Sequence, residues 1–414
     1  MVKPSIQIGL NNWATKKEGL LGYTEHDSGI FSPQDFILIR NSKKNVTGRT
    51  GLLETVTANF AGIDFKDNVN GALLLEPQST NLFTYSEDFN AVSWGKGENL
   101  VSSNQIIAPD GTLSADKLIA TSNSSTLHHV SDSITVPSTT ETIFSVFAKK
   151  GEYDFLQLRL NSGSNDSAFF DLNLGIVGVK GANVTQTMVD YGNGWYKCSI
   201  SKVMAGSYQF RVIVNQSNDF NAYIGDDVSG IYIWGAEVKQ ESYNTSYIKT
   251  TGAIATRLAD TASKTGLGSY INSTEGVLYF SAKALANNLT FRFISLSDGT
   301  TANCIQVYWR TSSNQLVFAY IKNSVITSNI TYTLSDITQL NKYAVKWKEN
   351  DFALWINGVE VAVNSNGGVL TSSILNRLAF DNGSGSSVFY SETKDLRVYN
   401  TALTDLELQT LTTI

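Results

Sequence analysis

The chain has 414 residues, 42% hydrophobic and 16% charged, so it is too long for one ordinary core and is expected to form two or three modules. Charged residues fall below the roughly 25% of an average soluble domain; Asn, Ser, Thr and Gly replace them, a composition that suits sheets joined by many turns and not helical surfaces. The net charge of −6, with no basic run longer than Lys16-Lys17, Lys43-Lys44 or Lys149-Lys150, excludes nucleic-acid binding by counterion release, and no run of about 18 apolar residues is present to span a membrane.

The start, Met1-Val2-Lys3-Pro4-Ser5-Ile6, lacks the apolar core of a signal peptide, which predicts a protein made and at first kept in a cytoplasm. Residues 1–80 are mixed in pattern and end in Gly71-Ala72-Leu73-Leu74-Leu75-Glu76-Pro77, an apolar strand stopped by proline. From about residue 140 onward nearly every segment alternates with period two, the sign of strands with one buried face.

In the middle region Phe144, Val146 and Ala148 are expected to point inward, with Leu156, Leu158 and Leu160, then Tyr196, Cys198 and Ile200, then Phe210, Val212 and Val214. The opposite faces carry Phe147 and Lys149, Gln157, Arg159 and Asn161, Trp195, Lys197 and Ser199, and Gln209, Arg211 and Asn215. Amides, guanidiniums and an aromatic ring on one sheet face are what a sugar-binding sandwich presents, because rings stack on pyranose faces while amides and guanidiniums bond hydroxyls. Antiparallel sheets also solvate a polar face as a rule, and each layer of a sandwich has one, so these residues need not converge.

Residues 249–275, rich in Thr, Ala, Gly and Ser, read as a connector. Beyond them, Tyr343–Lys348 is a strand with Trp347 in the core between two outward lysines. In Phe352–Val363 the Asn357-Gly358 pair predicts a type I′ hairpin. The simplest register sets Ile356 opposite Val359, Leu354 opposite Val361 and Phe352 opposite Val363, leaving Trp355 beside Glu360 on the other face. Thr404 and Glu407 form a capping box, with Leu403 and Leu408 as the staple, predicting one short terminal helix. Trp94, Trp234 and Trp309 are assigned to cores beside Trp347. No repeat of 20–50 residues is visible, against a solenoid.

Cys198 and Cys304 lie far apart and read as buried free thiols. His128 and His129 are neighbours that a strand turns to opposite faces, so they do not make a zinc site, and His26 stands alone; surface or turn roles are expected for all three. No Gly-x-Ser-x-Gly elbow is present. A two-carboxylate glycosidase needs alternate acids on one strand, and Glu152-Tyr153-Asp154 has no third acid after it. The chain is therefore expected not to be an enzyme. No cofactor is expected beyond a structural calcium, for which loop pairs such as Asp226 with Asp227 or Asp381 with Asn382 would serve.

The stretch Leu75-Glu76-Pro77-Gln78-Ser79-Thr80-Asn81-Leu82-Phe83-Thr84-Tyr85-Ser86-Glu87-Asp88-Phe89, then Trp94, Ala108-Pro109-Asp110-Gly111 and Ala115-Asp116-Lys117-Leu118, resembles a module of tailed-bacteriophage and prophage structural proteins. Its later landmarks are Gly192-Asn193-Gly194-Trp195-Tyr196, Ile233-Trp234-Gly235-Ala236-Glu237, Thr245-Ser246-Tyr247-Ile248 and Thr256-Arg257-Leu258-Ala259-Asp260. The resemblance implies a jelly roll similar to carbohydrate-binding modules. Glu275-Gly276-Val277-Leu278-Tyr279-Phe280, Trp355-Ile356-Asn357-Gly358 and the ending Asp395-Leu396-Arg397-Val398-Tyr399-Asn400 with Ala402–Leu408 resemble a concanavalin A-like or laminin G-like sandwich.

These readings give an all-β chain of two β-sandwich domains after an N-terminal attachment segment: 1–80 attachment, 81–250 jelly roll, 251–269 connector and 270–414 concanavalin A/laminin G-like sandwich. The resemblance implies a structural component of a phage virion, a tail or head fibre or appendage, assembled in the host bacterial cytoplasm. Its implied partners are other virion proteins, itself as a homo-oligomer with trimers the common form, and a host surface glycan, with no nucleic acid and no membrane insertion. Gln157, Arg159, Arg211, Trp195 and Trp355 are the expected ligand contacts, the two tryptophans serving either a ligand or a neighbouring subunit. The alternatives are a structural decoration protein without glycan binding and, further off, a polysaccharide depolymerase.

Overall fold

A computed structural model of the chain describes residues 2–9, 13, 20–25, 31–123, 125–161, 163–219, 222–370 and 374–414. Among these the architecture is all-β, with strands arranged in two large ten-stranded sheets, a seven-stranded sheet and two small ribbons, and one α-helix, Asp405–Thr412. The chain divides into two compact units, one of residues 1–43, 56–77 and 258–414, the other of residues 44–55 and 78–257. Both are sandwiches.

In the unit of residues 44–55 and 78–257, two long strands, His128–Lys150 and Tyr196–Asn215, run antiparallel along most of their length. Their pairing slips between Val136 and Thr140, where Pro137 cannot donate to the ladder and Gly206 takes a φ of +96°. The slip bends both strands, so each serves two layers. In one layer they pair with Gly230–Lys239 and Thr185–Asp190, and Leu113–Ala120 and Asn99–Ile107 extend the sheet. In the other they are flanked by Gly95–Gly97, Phe155–Leu160, Ser167–Asp171 and Ile176–Lys180.

The inward positions expected from alternation close one core between these layers: Phe144, Val146, Ala148, Leu156, Leu158, Leu160, Cys198, Ile200, Phe210, Val212 and Val214 all belong to it, with Tyr196 packed at its edge. Both cysteines are free and buried, and burial pushes the Cys304 thiol up to about 12. Gly235, at a φ of +62°, breaks the alternation of its strand. Ile231 and Ile233 before it and Ala236 and Val238 after it face the same core, while Trp234 turns outward onto Phe147.

In the other unit, a sheet holding Glu275–Ala284, Asn341–Lys348, Phe352–Ile356 and Ser391–Tyr399 faces a sheet holding Arg292–Ser297, Cys304–Trp309 and Gln315–Lys322 over one apolar core. The first 80 residues, expected as a segment of their own, are shared between the units. Ile6–Gly9 pairs with Ser391–Tyr399, and so does Ala72–Leu75, the apolar strand that ends before Pro77. An open sheet edge is a row of unmade hydrogen bonds, and these strands close it.

The hairpin turns at Asn357 and Gly358 with φ of +51° and +83°, and Ile356 opposes Val359 as expected. Beyond Trp355 the register departs from expectation: a bulge sets Leu354 opposite Ala362 and Phe352 opposite Asn364. Val363 is consequently exposed, Val359 is exposed although its pairing is the expected one, and Phe352, Leu354 and Ile356 stay in the core. Trp347 is core as expected, yet Lys346 is not outward, being buried against Asp351. The terminal helix carries the full capping box.

Candidate functional site

The outer faces of the two layers of the jelly roll are covered to different extents. Outside the first layer, Trp195 is 3% exposed, packs with Phe147, Trp234 and Tyr247, and donates its indole N–H to the Ile107 carbonyl at 3.1 Å. The expected ligand contact at Trp195 is therefore a packing residue. Its neighbour Lys197 is buried on Glu237 at 2.7 Å, and Glu237 also meets Lys239 at 3.3 Å and accepts the Ile248 N–H at 2.8 Å. The segment that returns through Thr245–Ile248 thus seals this face. Isolated charges could not be buried so; paired and bonded ones can.

Outside the second layer, register places side chains in rows across four strands. One row is Ser131, Arg211, Arg159 and Ser167; the next is His129, Ile213, Gln157 and Phe169. Arg159 and Arg211 are direct cross-strand partners, a like-charge pairing that costs stability unless something offsets it. The Arg211 guanidinium donates from Nε at 2.8 Å and from Nη2 at 2.5 Å to Gln209 Oε1, and Gln209 Nε2 donates to Ser131 Oγ at 3.1 Å. Asn161 Oδ1 accepts the Gln209 N–H at 2.9 Å. Gln157, in the neighbouring row of the same face, is fully buried, donating to Ser167 Oγ and accepting from Asn215, both at 3.3 Å.

Arg159, Arg211, Gln209 and His129 are half-buried, and Asn161 and Ser133 are exposed. Gly97 seats His129: a Cβ there would lie 2.1 Å from the imidazole. Burial holds the His129 pKa below its ordinary value, reinforced by Arg211 and Arg159 and opposed by the Leu127 carbonyl. Burial also lowers both guanidiniums, and Arg211 lowers Arg159 further. Among the described residues no carboxylate lies within ion-pair distance of Arg211. The face is electropositive at its arginine end, and its neighbouring row of Ile213, Gln157 and Phe169 is fully buried.

Of the expected contacts, Gln157, Arg159 and Arg211 share one face, Gln157 fully buried in the row beside the arginines. Trp355 does not join them. It is 7% exposed in the other unit, beneath the terminal helix with Leu403, Leu408 and Leu411. Gln209 was visible by parity, but His129 was assigned a surface or turn role, and only the pairing of His129 with Ile213 brings it here. His128, the opposite neighbour, turns to the Tyr223 carbonyl at 3.0 Å. His26 lies outside the described residues.

Other polar groups are engaged locally. Asp381 receives Arg377 at 2.9 and 2.6 Å, Asp226 receives Ser229, and Asp227 receives Ser122. No three His, Cys, Asp or Glu side chains gather as a metal requires among the described residues. Glu152 pairs with Lys117 and Asp154 with Lys150. A cavity of about 420 Å³ beside Tyr85, Glu87, Asp88, Asp116 and Lys249 is an acidic counterpart to the arginine face; Asp116 there accepts the Phe89 and Asn104 N–H groups. A feature not expected from sequence is an aromatic ladder in the other unit, Phe293 stacked on Tyr308 at 4.2 Å with Phe291 beside them and 41% exposed.

No protein-family model matches the chain, and no curated protein matches it. Solved structures do. The carbohydrate-binding module, CBM40, of a Ruminococcus gnavus IT-sialidase, bound to α2,6-sialyllactose, is 16% identical over 34% of this chain and 83% of that one, at a TM-score of 0.27. Domains LG4-5 of the mouse laminin α1 chain are 10% identical over 78% of this chain and 91% of that one, at 0.25. Sheep galectin-11, in complex with glycerol, is 9% identical over 30% and 86%, at 0.21. These neighbours are sandwiches of carbohydrate-binding, laminin G and galectin type. At such scores they carry no argument about this chain, and the fold assignment rests on its own strand order and cores.

Proposed function

We propose that the chain is a non-catalytic glycan-binding protein whose ligand seats on the arginine face of the jelly roll. The observation that carries this is the convergence of half-buried Arg159, Arg211, Gln209 and His129 with exposed Asn161 at one end of a sheet face whose neighbouring row, Ile213, Gln157 and Phe169, is covered. Fixed guanidinium and amide donors on a rigid sheet suit saccharide hydroxyls, which accept in plane and lose little water on a shallow site. A single such site binds at about millimolar strength, about −4 kcal/mol, and several copies on one assembly gain roughly 10²–10⁴ through effective concentration.

The finer placement is that of a homo-oligomeric, trimeric fibre or appendage on a tailed-phage particle, assembled in the host bacterial cytoplasm against other virion proteins and directed at host surface glycans. The residue-level likeness at 75–118 and 192–260 is its support. In the competing role of a structural decoration, neighbouring virion proteins would cover the arginine face.

The test is a glycan array probed with the full chain, beside Arg211→Ala and Arg159→Ala at matched folding. Array signals should fall at least tenfold in both variants, with no reducing ends released from the bound glycans. Undiminished binding by both variants would remove the site, and released reducing ends would remove the non-catalytic reading.

A further inference from the structure

The chain carries Asn-Gly pairs at Asn70, Asn193, Asn357, Asn366 and Asn382. In such a pair the backbone nitrogen of the glycine can attack the asparagine Cγ, because no Cβ on the following residue obstructs the approach. The attack needs a free glycine N–H, and all but one of the pairs deny it. Gly71 donates to the Asn68 carbonyl at 2.8 Å, Gly358 to Thr412 Oγ1 at 3.1 Å, Gly367 to Asn350 Oδ1 at 3.3 Å and Gly383 to Asp381 Oδ1 at 2.7 Å. The electrophile is tied as well at Asn357, whose amide bonds the Lys342 N–H and Asn341, and at Asn382, whose Oδ1 accepts from Ser384 and Ser386.

Asn193-Gly194 differs in each respect. It forms the tip of the hairpin between Thr185–Asp190 and Tyr196–Asn215, closed by the Trp195 N–H on the Gly192 carbonyl at 2.9 Å, with φ of +52° and +76°. The Asn357-Gly358 turn has nearly the same angles, +51° and +83°, so backbone conformation does not separate the two. Both Asn193 and Gly194 are exposed, and neither the Asn193 side-chain amide nor the Gly194 N–H makes a hydrogen bond among the described residues. The Asn193 carbonyl, however, accepts from the Lys149 ammonium at 2.6 Å. That carbonyl and the Gly194 nitrogen belong to one conjugated peptide group. When the nitrogen gives up its proton, negative charge passes to the oxygen, where the ammonium stabilises it.

We infer that Asn193 is a site of self-modification, at which the chain converts its own asparagine to aspartate and isoaspartate, with Lys149 as the activating group. The Gly194 nitrogen passes its proton to solvent base and bonds Asn193 Cγ. The Cγ–Nδ2 bond then breaks, and the amide nitrogen leaves as ammonia with a proton taken from water. Water opens the resulting succinimide at either carbonyl. Opening at Cγ gives aspartate; opening at the former backbone carbonyl gives isoaspartate and lengthens the main chain by one carbon just before the buried Trp195.

The experiment holds the full chain in mildly alkaline buffer at physiological temperature and samples it over days for peptide mapping by mass spectrometry, with isoaspartate labelled enzymatically. Freedom from a hydrogen bond of about 1 kcal/mol makes about a fivefold difference in rate. Conversion at Asn193 is therefore expected to run about fivefold or more ahead of Asn70, Asn357, Asn366 and Asn382, and the sites should draw together in chain unfolded by urea. Lys149→Met, shown to be folded by thermal melt, should slow Asn193 several-fold and leave the other sites unchanged, while Lys149→Arg should keep most of the rate. Equal rates at all the pairs in the folded chain, or faster conversion at any other asparagine, overturn the assignment of Asn193. An unchanged Asn193 rate in Lys149→Met overturns the role of Lys149.

Discussion

Trp195 and Arg211 lie on the outer faces of the same pair of long strands, and parity alone treats them alike. Trp195 is sealed by residues about fifty positions further along, the Thr245–Ile248 return, whereas Arg211 stays half-buried beside the covered Ile213, Gln157 and Phe169. Which side chain faces a core was legible in the sequence, since alternation needs only neighbouring residues; which polar face is covered was not, since the cover is nonlocal. Trp195→Ala is accordingly expected to lower stability by about 3–5 kcal/mol in urea unfolding, as loss of a buried aromatic does, with little direct effect on a ligand at the arginine face. Asp116 supplies a pH signature. Burial raises its pKa to about 6, against the Phe89 and Asn104 N–H groups that lower it, from an ordinary 3.8. The folded state therefore holds the proton more tightly than the unfolded chain, so the stability linked to this group is fully present below pH 3.8 and is lost as pH rises through about 6. Comparing chemical unfolding at pH 4.5 and 7, the wild type should lose more stability on going to pH 7 than Asp116→Asn does. Equal losses would contradict the assignment.

At the scale of elements, the local signals were the reliable ones. The Asn357-Gly358 turn and the Thr404–Glu407 capping box both depend on residues within a few positions, and both form. The hairpin register failed one pair beyond the turn because the bulge at Leu354–Trp355 lets Phe352 and Leu354 stay in the core while Trp355 turns under the helix. Thr404→Ala should cost about 1 kcal/mol by loss of the cap and should raise solvent quenching of Trp355 as the helix loosens from it. The Lys197, Glu237 and Lys239 cluster binds a strand to its returning segment. Breaking it with Glu237→Ala leaves the buried Lys197 ammonium without a carboxylate, while Lys239 keeps Glu241 at 3.2 Å, and about 3–5 kcal/mol is the expected loss in unfolding experiments. The landmark residues of the jelly roll do this kind of work: Asn81 bonds the Ala236 and Ile248 carbonyls, Trp94 the Tyr85 carbonyl, and Tyr247 the Ser86 and Glu87 oxygens. They mark a scaffold, and the arginine face lies outside it, which is why a resemblance read from those landmarks names the fold more surely than the ligand.

Across the whole molecule, the chain passes between its two units repeatedly, and neither unit is one continuous stretch. Composition and alternation predicted two sandwiches correctly; they could not predict that Ile6–Gly9 completes a sheet built almost 390 residues later, because edge pairing leaves no periodic mark. A fragment of residues 270–414, which the sequence suggests as a domain, should therefore expose the edge of Ser391–Tyr399 and self-associate in size-exclusion chromatography, whereas the full chain should not show that edge-driven aggregation. The central claim is that the arginine face of the jelly roll, and no other surface, seats a saccharide. A crystal structure of the full chain with a bound oligosaccharide tests it most directly: the account predicts sugar density against Arg211, Arg159 and Gln209, and density confined to the Phe293–Tyr308 ladder or to the cavity beside Asp116 would contradict it.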